Sequence, residues 1–199
     1  MRTIRLIYIF IAVVLFSNDA FAGGMRLRGV VATVDKNHIV VETQTGEKVN
    51  VTLAEAFKVL LYKDISLDEI AESAYLSIPS IPLPNGNHRA LGINVFPESM
   101  RGYNEGYTKW DLSPDSKMTN ATYAKITNKV NESLLEVVFG DKKQVIEVAK
   151  STPITTFDFS PGEKIIPGQH IVVFLDGENL KNASSGIVGI HESGRLPPI

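Results

Sequence analysis

LRGVVATVDKNHIVVETQTGEKVNVTL, residues 27–53, decides the fold. Leu27–Val34 and His38–Thr43 are runs of β-branched residues, and Lys48–Leu53 alternates apolar with polar at a period of two. That period places every second side chain on one face of a sheet. Between the runs stand Asp35-Lys36-Asn37 and Gln44-Thr45-Gly46-Glu47, two clusters of turn-forming residues. Three short strands joined by tight turns make an antiparallel meander, and the rest of the chain extends the same pattern.

Further on, Ala54–Lys63 reads two ways: Ala54, Glu55 and Leu60 favour a helix, whereas Phe57–Tyr62 continues in β. Ser66-Leu67-Asp68-Glu69 has the form of a capping box opening a short helix or turn. Ala74–Ile78 is a fourth strand, Asn85-Gly86-Asn87 a turn, and Arg89–Phe96 a fifth strand. The second half repeats the plan, with strands over 122–126, 134–139, 143–148, 152–157, 170–174 and 185–190. Matching landmarks lie 92 to 95 residues apart: Gly29 with Ala121, Lys48 with Lys143, Ala90–Ile93 with Ser185–Val188. Such an offset fits duplication of a small domain better than a solenoid repeat. The expected architecture is all-β: two tandem five-stranded OB-like barrels, each with a short helix or turn, joined by a long ordered connector. The divisions are 1–22, 23–96, 97–118 (the connector) and 119–199.

Residues 1–22 read as an export signal. Arg2 and Arg5 precede the apolar run Leu6–Phe16, and Ala20-Phe21-Ala22 has the small-x-small form of a cleavage site. The run is too short for a bilayer, which takes roughly 20 apolar residues. Later apolar runs are broken by charge, Gly or Pro, so no membrane span is expected. The location expected is periplasmic or secreted. The chain has no Cys, which excludes disulfides, thiolate nucleophiles and Cys-based metal sites. Its net charge is −2, and removal of Arg2, Arg5 and Asp19 with the signal makes the remainder one charge more negative. An acidic balance with interspersed signs argues against a nucleic-acid partner.

The connector is the most distinctive stretch. FPESMRGYNEGYTKWDLSPDSKMTNAT, 96–122, holds the only Trp of the chain and is too long for a hairpin. Connections longer than about 12–15 residues are usually functional or disordered, and Trp110, Tyr103, Tyr107, Met100 and Leu112 offer apolar surface to bury. It is expected to be an ordered strap across the groove between the barrels. Arg89, Glu98, Arg101, Glu105, Tyr107, Trp110 and Asp111 are the candidate ligand- or partner-binding residues. A purely structural role has Trp110 plugging the seam while Arg101 pairs with a carboxylate.

Together with Arg26-x-Arg28-Gly29 and the Ala90–Val95 run, 96–122 resembles a family of exported bacterial proteins of unknown function built from small β-barrel repeats. Members of that family sometimes carry the label of a metal-transporter permease, which a chain without spans does not fit. The resemblance covers essentially all residues after the signal and implies His where this chain has Tyr107.

Other chemistries leave weaker traces. His38, His88, His170 and His191 form no i, i+4 pair. His88 with the thioethers of Met100 and Met118 is the one candidate metal set, of copper(I) type. Any two of Glu98, Glu105 and Asp111 are a candidate hydrolase pair by analogy with glycosidase carboxylates. No Ser sits in a G-x-S-x-G elbow, and neither Gly-rich stretch has the Lys-Ser/Thr of a phosphate loop. The reading is a noncatalytic binding or interaction module of the cell envelope, with no cofactor, whose partner is an envelope protein or a small ligand. The alternatives are a periplasmic copper-type binder and a hydrolase.

Overall fold

The computed structural model describes residues 25–128, 132–177 and 179–199, so the signal-sequence reading of 1–22 lies outside the described residues. These form thirteen strands and no α-helix; short 3-10 turns cover Leu67–Glu69, Glu98–Met100 and Leu180–Asn182. No helix among the described residues is long and apolar enough to cross a membrane.

The opening meander is as its pattern dictates. β1 (Arg26–Asp35), β2 (His38–Thr43) and β3 (Lys48–Asp64) pair antiparallel in succession. Their inward residues Val31, Ile39, Val41, Val49, Val51 and Leu53 are buried. Lys36 takes φ 54° and Gly46 φ 81°, the left-handed conformations that tight hairpin turns require. The ambiguous stretch 54–63 resolves as strand, and β3 runs unbroken for 17 residues.

That length has a topological consequence. β3 does not fold back to meet β4 (Tyr75–Pro82). Its first part pairs with β2 and its last part, Leu60 to Asp64, pairs with β11 (Ile154–Phe159). The first ring is closed instead by the C-terminal strands β12 (His170–Phe174) and β13 (Ala183–His191). β12 pairs with β1 and β13, and β13 returns parallel to β3, so five strands form a closed barrel. β4 and β5 (His88–Ala90) meanwhile join β8 (Lys117–Asn128), β9 (Glu132–Phe139) and β10 (Lys142–Ala149). There β4 pairs with both β5 and β8, and β5 returns parallel to β10, completing a second circuit of pairings. β6 (Ile93–Val95) continues β5 after a break at Leu91-Gly92 and lies parallel to β11.

Pairings recur between the two circuits at the offset read from the sequence, with strands from both halves in each circuit. Gly29 faces Ile171 in the first ring and Ala121 faces Leu76 in the second, related by the offsets of 92 and 95 read from the sequence. Ser184 faces Thr52 as Arg89 faces Glu147, and Val188 faces Val59 as Ile93 faces Ile154. Even the bulges correspond, at Val31/Thr33 and at Tyr123/Lys125. Each ring combines the three-strand meander of one repeat with the fourth and fifth strands of the other. A boundary at 97–118 does not separate the rings, because strands of 170–191 close the circuit begun by 26–64. The β3–β11 pairing maps onto itself under the same offset, centred on Tyr62 opposite Phe157.

Three apolar clusters follow from the layout. One fills the first ring around Val41, Val51 and Ile171, and a second fills the other circuit around Leu76, Leu135 and Ile146. The third lies at the seam: Leu60, Tyr62, Met118, Phe157, Val172, Phe174, Ile187 and Ile199, with Phe96, Met100 and Trp110 packed against it.

Candidate functional site

The connector is ordered, and it bridges. Met100 N–H and Arg101 N–H close the 3-10 turn on the carbonyls of Pro97 and Glu98. β7 (Gly106–Lys109) then pairs antiparallel with β8, from Gly106 opposite Asn120 to Lys109 opposite Lys117. Ser116 fixes the next turn, its hydroxyl donating to the carbonyls of Ser113 and Trp110. At one end Asp111 accepts from Arg28 Nη2 at 2.8 Å, from Arg26 Nη1 at 3.3 Å and from the Arg26 backbone N–H, all on β1 of the first ring. At the other, Glu105 accepts from Gly140 N–H at 2.5 Å, on the β9–β10 turn of the second circuit. The Tyr103 carbonyl accepts from the Tyr75 hydroxyl and from Asn120 Nδ2.

Electrostatics at the Asp111 end favour the charged pair. Burial by itself would raise the Asp111 carboxyl, but the Arg28 hydrogen bond and the charges of Arg28 and Arg26 hold it below the ordinary aspartate range. Burial lowers the proton affinity of Arg26 from a value so high that the guanidinium stays charged. The side chain of Arg26 is only 7 % exposed, stacked 3.5 Å from the centre of the Trp110 ring. A cation over an indole face is attracted by the ring quadrupole, more strongly when desolvated. Arg26, Trp110 and Asp111 thus form one latch.

Beneath the strap lies a chamber of about 760 Å³. Strap residues Tyr103, Glu105, Thr108, Trp110 and Asp111 form one wall; facing it are Arg26, Tyr62, Ser77, Met118, Asn120, Phe157 and Phe174 from β1, β3, β4, β8, β11 and β12, with Phe96 just after β6 and Ile199 at the C-terminus. The rings of Phe96 and Phe157 meet edge-on at 5.6 Å, and Tyr62 tilts against Phe157 at 5.3 Å. Three polar atoms on its lining residues are buried without a hydrogen-bond partner: the Tyr62 hydroxyl, Trp110 Nε1 and Asn120 Oδ1. An unsatisfied buried polar group costs about 1–3 kcal/mol, and a cluster of them marks a place for water or ligand.

The expected site residues divide. Glu105, Trp110 and Asp111 line the chamber. Arg101 instead pairs with its neighbour Glu98, at 2.5 Å and 2.7 Å, and reaches the Ser73 carbonyl; both side chains are exposed. Arg89 sits on β5 beside Glu147 at 3.8 Å. Tyr107 projects from the strap at 40 % exposure, edge-on to His88 at 5.2 Å. These four residues are not among those that line the chamber. Arg26, Tyr62, Asn120 and Phe157, which lie outside the connector, are, and so is Tyr103, which the connector's composition marked only as apolar surface to bury. One signal was available: Tyr62 and Phe157 stand 95 residues apart, at equivalent positions of the two repeats.

The other candidate chemistries find their groups engaged elsewhere. His88 Nδ1 is 3.4 Å from Ser80 Oγ, and burial lowers its proton affinity. Met118 Sδ accepts from Ser77 Oγ at 3.0 Å, and Met100 packs against the seam cluster. Among the described residues no three His, Cys, Asp or Glu side chains are grouped to hold a metal ion. Of the connector carboxylates, Glu98 is held below the ordinary range by its hydrogen bond from Arg101, and Asp111 by its arginines. A general acid working near neutrality needs the opposite shift.

No family model matches the chain, and neither a curated protein nor a solved structure matches it.

Proposed function

We infer that the protein is an exported, noncatalytic binding module of the bacterial cell envelope, built from two OB-like units, whose working part is the chamber under the connector. The observation that carries this reading is the chamber itself. Its volume falls within the range of small-molecule sites, roughly 300–1,000 Å³, and it has the usual makeup of an apolar lining with a few polar groups. It also sits where such sites concentrate, at the seam between packed units. The strap closes it through polar contacts at both ends, a construction that serves ligand retention and that a mere tether would not need.

Export is supported by the signal-like residues 1–22. The resemblance to exported repeat proteins points the same way. The test is native mass spectrometry of the protein isolated gently from its own host. The reading expects a population carrying one small organic molecule per chain, released on unfolding. Only the bare chain mass, under conditions that keep the fold, would contradict it.

A further inference from the structure

The chemistry of the wall narrows what the chamber holds. We propose that it binds one uncharged aromatic molecule, with its flat apolar body against the ring-lined wall formed by Phe96, Tyr103, Trp110 and Phe157. This rests on the reading of the chamber as a binding site and adds the ligand class to it. Aromatic rings from four elements converge there: Tyr62 from β3, Phe96 just after β6, Phe157 from β11 and Trp110 from the strap. Rings favour a flat partner, which they meet face-offset or edge-on.

Charge argues for a neutral ligand. Four ionisable groups line the chamber: Arg26, Glu105, Lys109 and Asp111. Asp111 is held at the latch by Arg26 and Arg28. Glu105 and Lys109 are both solvent-exposed, where charge is screened. A ligand charge carried into the apolar interior would lose its hydration, and that desolvation would oppose binding.

The test uses N-phenyl-1-naphthylamine, an uncharged aromatic amine, and the lone Trp110 as built-in donor for energy transfer. Dodecanoate and 1-anilinonaphthalene-8-sulfonate serve as an anionic aliphatic and an anionic aromatic comparator. The expected result is saturable quenching of Trp110 at one naphthylamine per chain, with both anions at least about tenfold weaker, a gap of about 1.4 kcal/mol. Thr108→Phe, which places a ring at the chamber wall from β7, abolishes the signal while the melting temperature holds. Naphthylamine binding unaffected by Thr108→Phe overturns the proposal, because the dye is then elsewhere. Anions that bind in a Thr108-dependent way while the naphthylamine does not overturn the ligand class and leave the chamber standing as a site. Failure of all three probes to perturb Trp110 or the melting temperature overturns both.

Discussion

At the scale of single residues, Asp111 is the joint of the strap. It meets two arginines of β1, one of them almost wholly buried under Trp110. Asp111→Asn leaves that guanidinium without its counter-charge, and the loss expected is about 1–3 kcal/mol, as for other hydrogen bonds to charged groups. The pH dependence has a definite sign. The folded state holds the Asp111 carboxyl below its ordinary value of 3.8, so its contribution is complete above that pH and is lost as pH falls through the folded value. Denaturant titrations should therefore show a constant gap between wild type and variant from neutrality down to about pH 5, narrowing below about pH 4. A gap that widens in acid would mean Asp111 is not the anion of the latch. Trp110→Ala, which removes a half-buried ring, should cost about 2–3 kcal/mol, less than full burial would imply. Calorimetry on that variant separates a ring that packs against the seam from one exposed to solvent, whose loss would leave the melting temperature unchanged.

At the scale of elements, the long strand β3 and its neighbours were partly legible in advance. Turns at Lys36 and Gly46 could be read because they need left-handed backbone, which few residue types supply cheaply. Val49, Val51 and Leu53 announced their face by alternation. Residues 54–63 could not be settled from pattern, since their apolar run suits either a helix or a strand buried on both faces. What settles them is pairing on two sides, with β13 along one edge and β11 beyond it. Close approach between strands gives a sharp test. A Cβ built on Gly29 would lie 2.1 Å from the Glu42 carbonyl oxygen across the β1–β2 pair, and neither backbone can yield without breaking the ladder. Gly29→Ala should cost roughly 3 kcal/mol or more, whereas Gly177→Ala, into open space, should stay within about 0.5 kcal/mol. Equal effects of the two on chemical unfolding would contradict the β1–β2 register.

At the scale of the molecule, the repeat could be read and the exchange could not. Hydrophobic period tells which residues are strands and which face they bury; it carries no label for the partner strand. Gly29 and Ala121 revealed equivalence, but nothing in either repeat distinguishes closing its own ring from lending its last two strands to the other. The same gap hid the chamber. Its wall draws on Arg26, Tyr62, Phe96, Asn120 and Phe157, residues far apart in the chain that meet only because the strands are shared. The connector could be picked out by its composition, and of its candidate binding residues Glu105, Trp110 and Asp111 line the chamber. Arg89, Glu98, Arg101 and Tyr107 looked similar on paper, yet local pairing or solvent takes them. The whole account rests on the exchange, since the seam, its twofold and the chamber all vanish if each repeat closes on itself. The direct measurement is sedimentation of residues 25–96 and 97–199 produced separately and then mixed, read together with Trp110 emission. Shared rings predict an equimolar complex in which Trp110 shifts to the emission of the intact chain, with 25–96 alone associating into pairs of itself. Two fragments that each fold as stable monomers and ignore one another would contradict it.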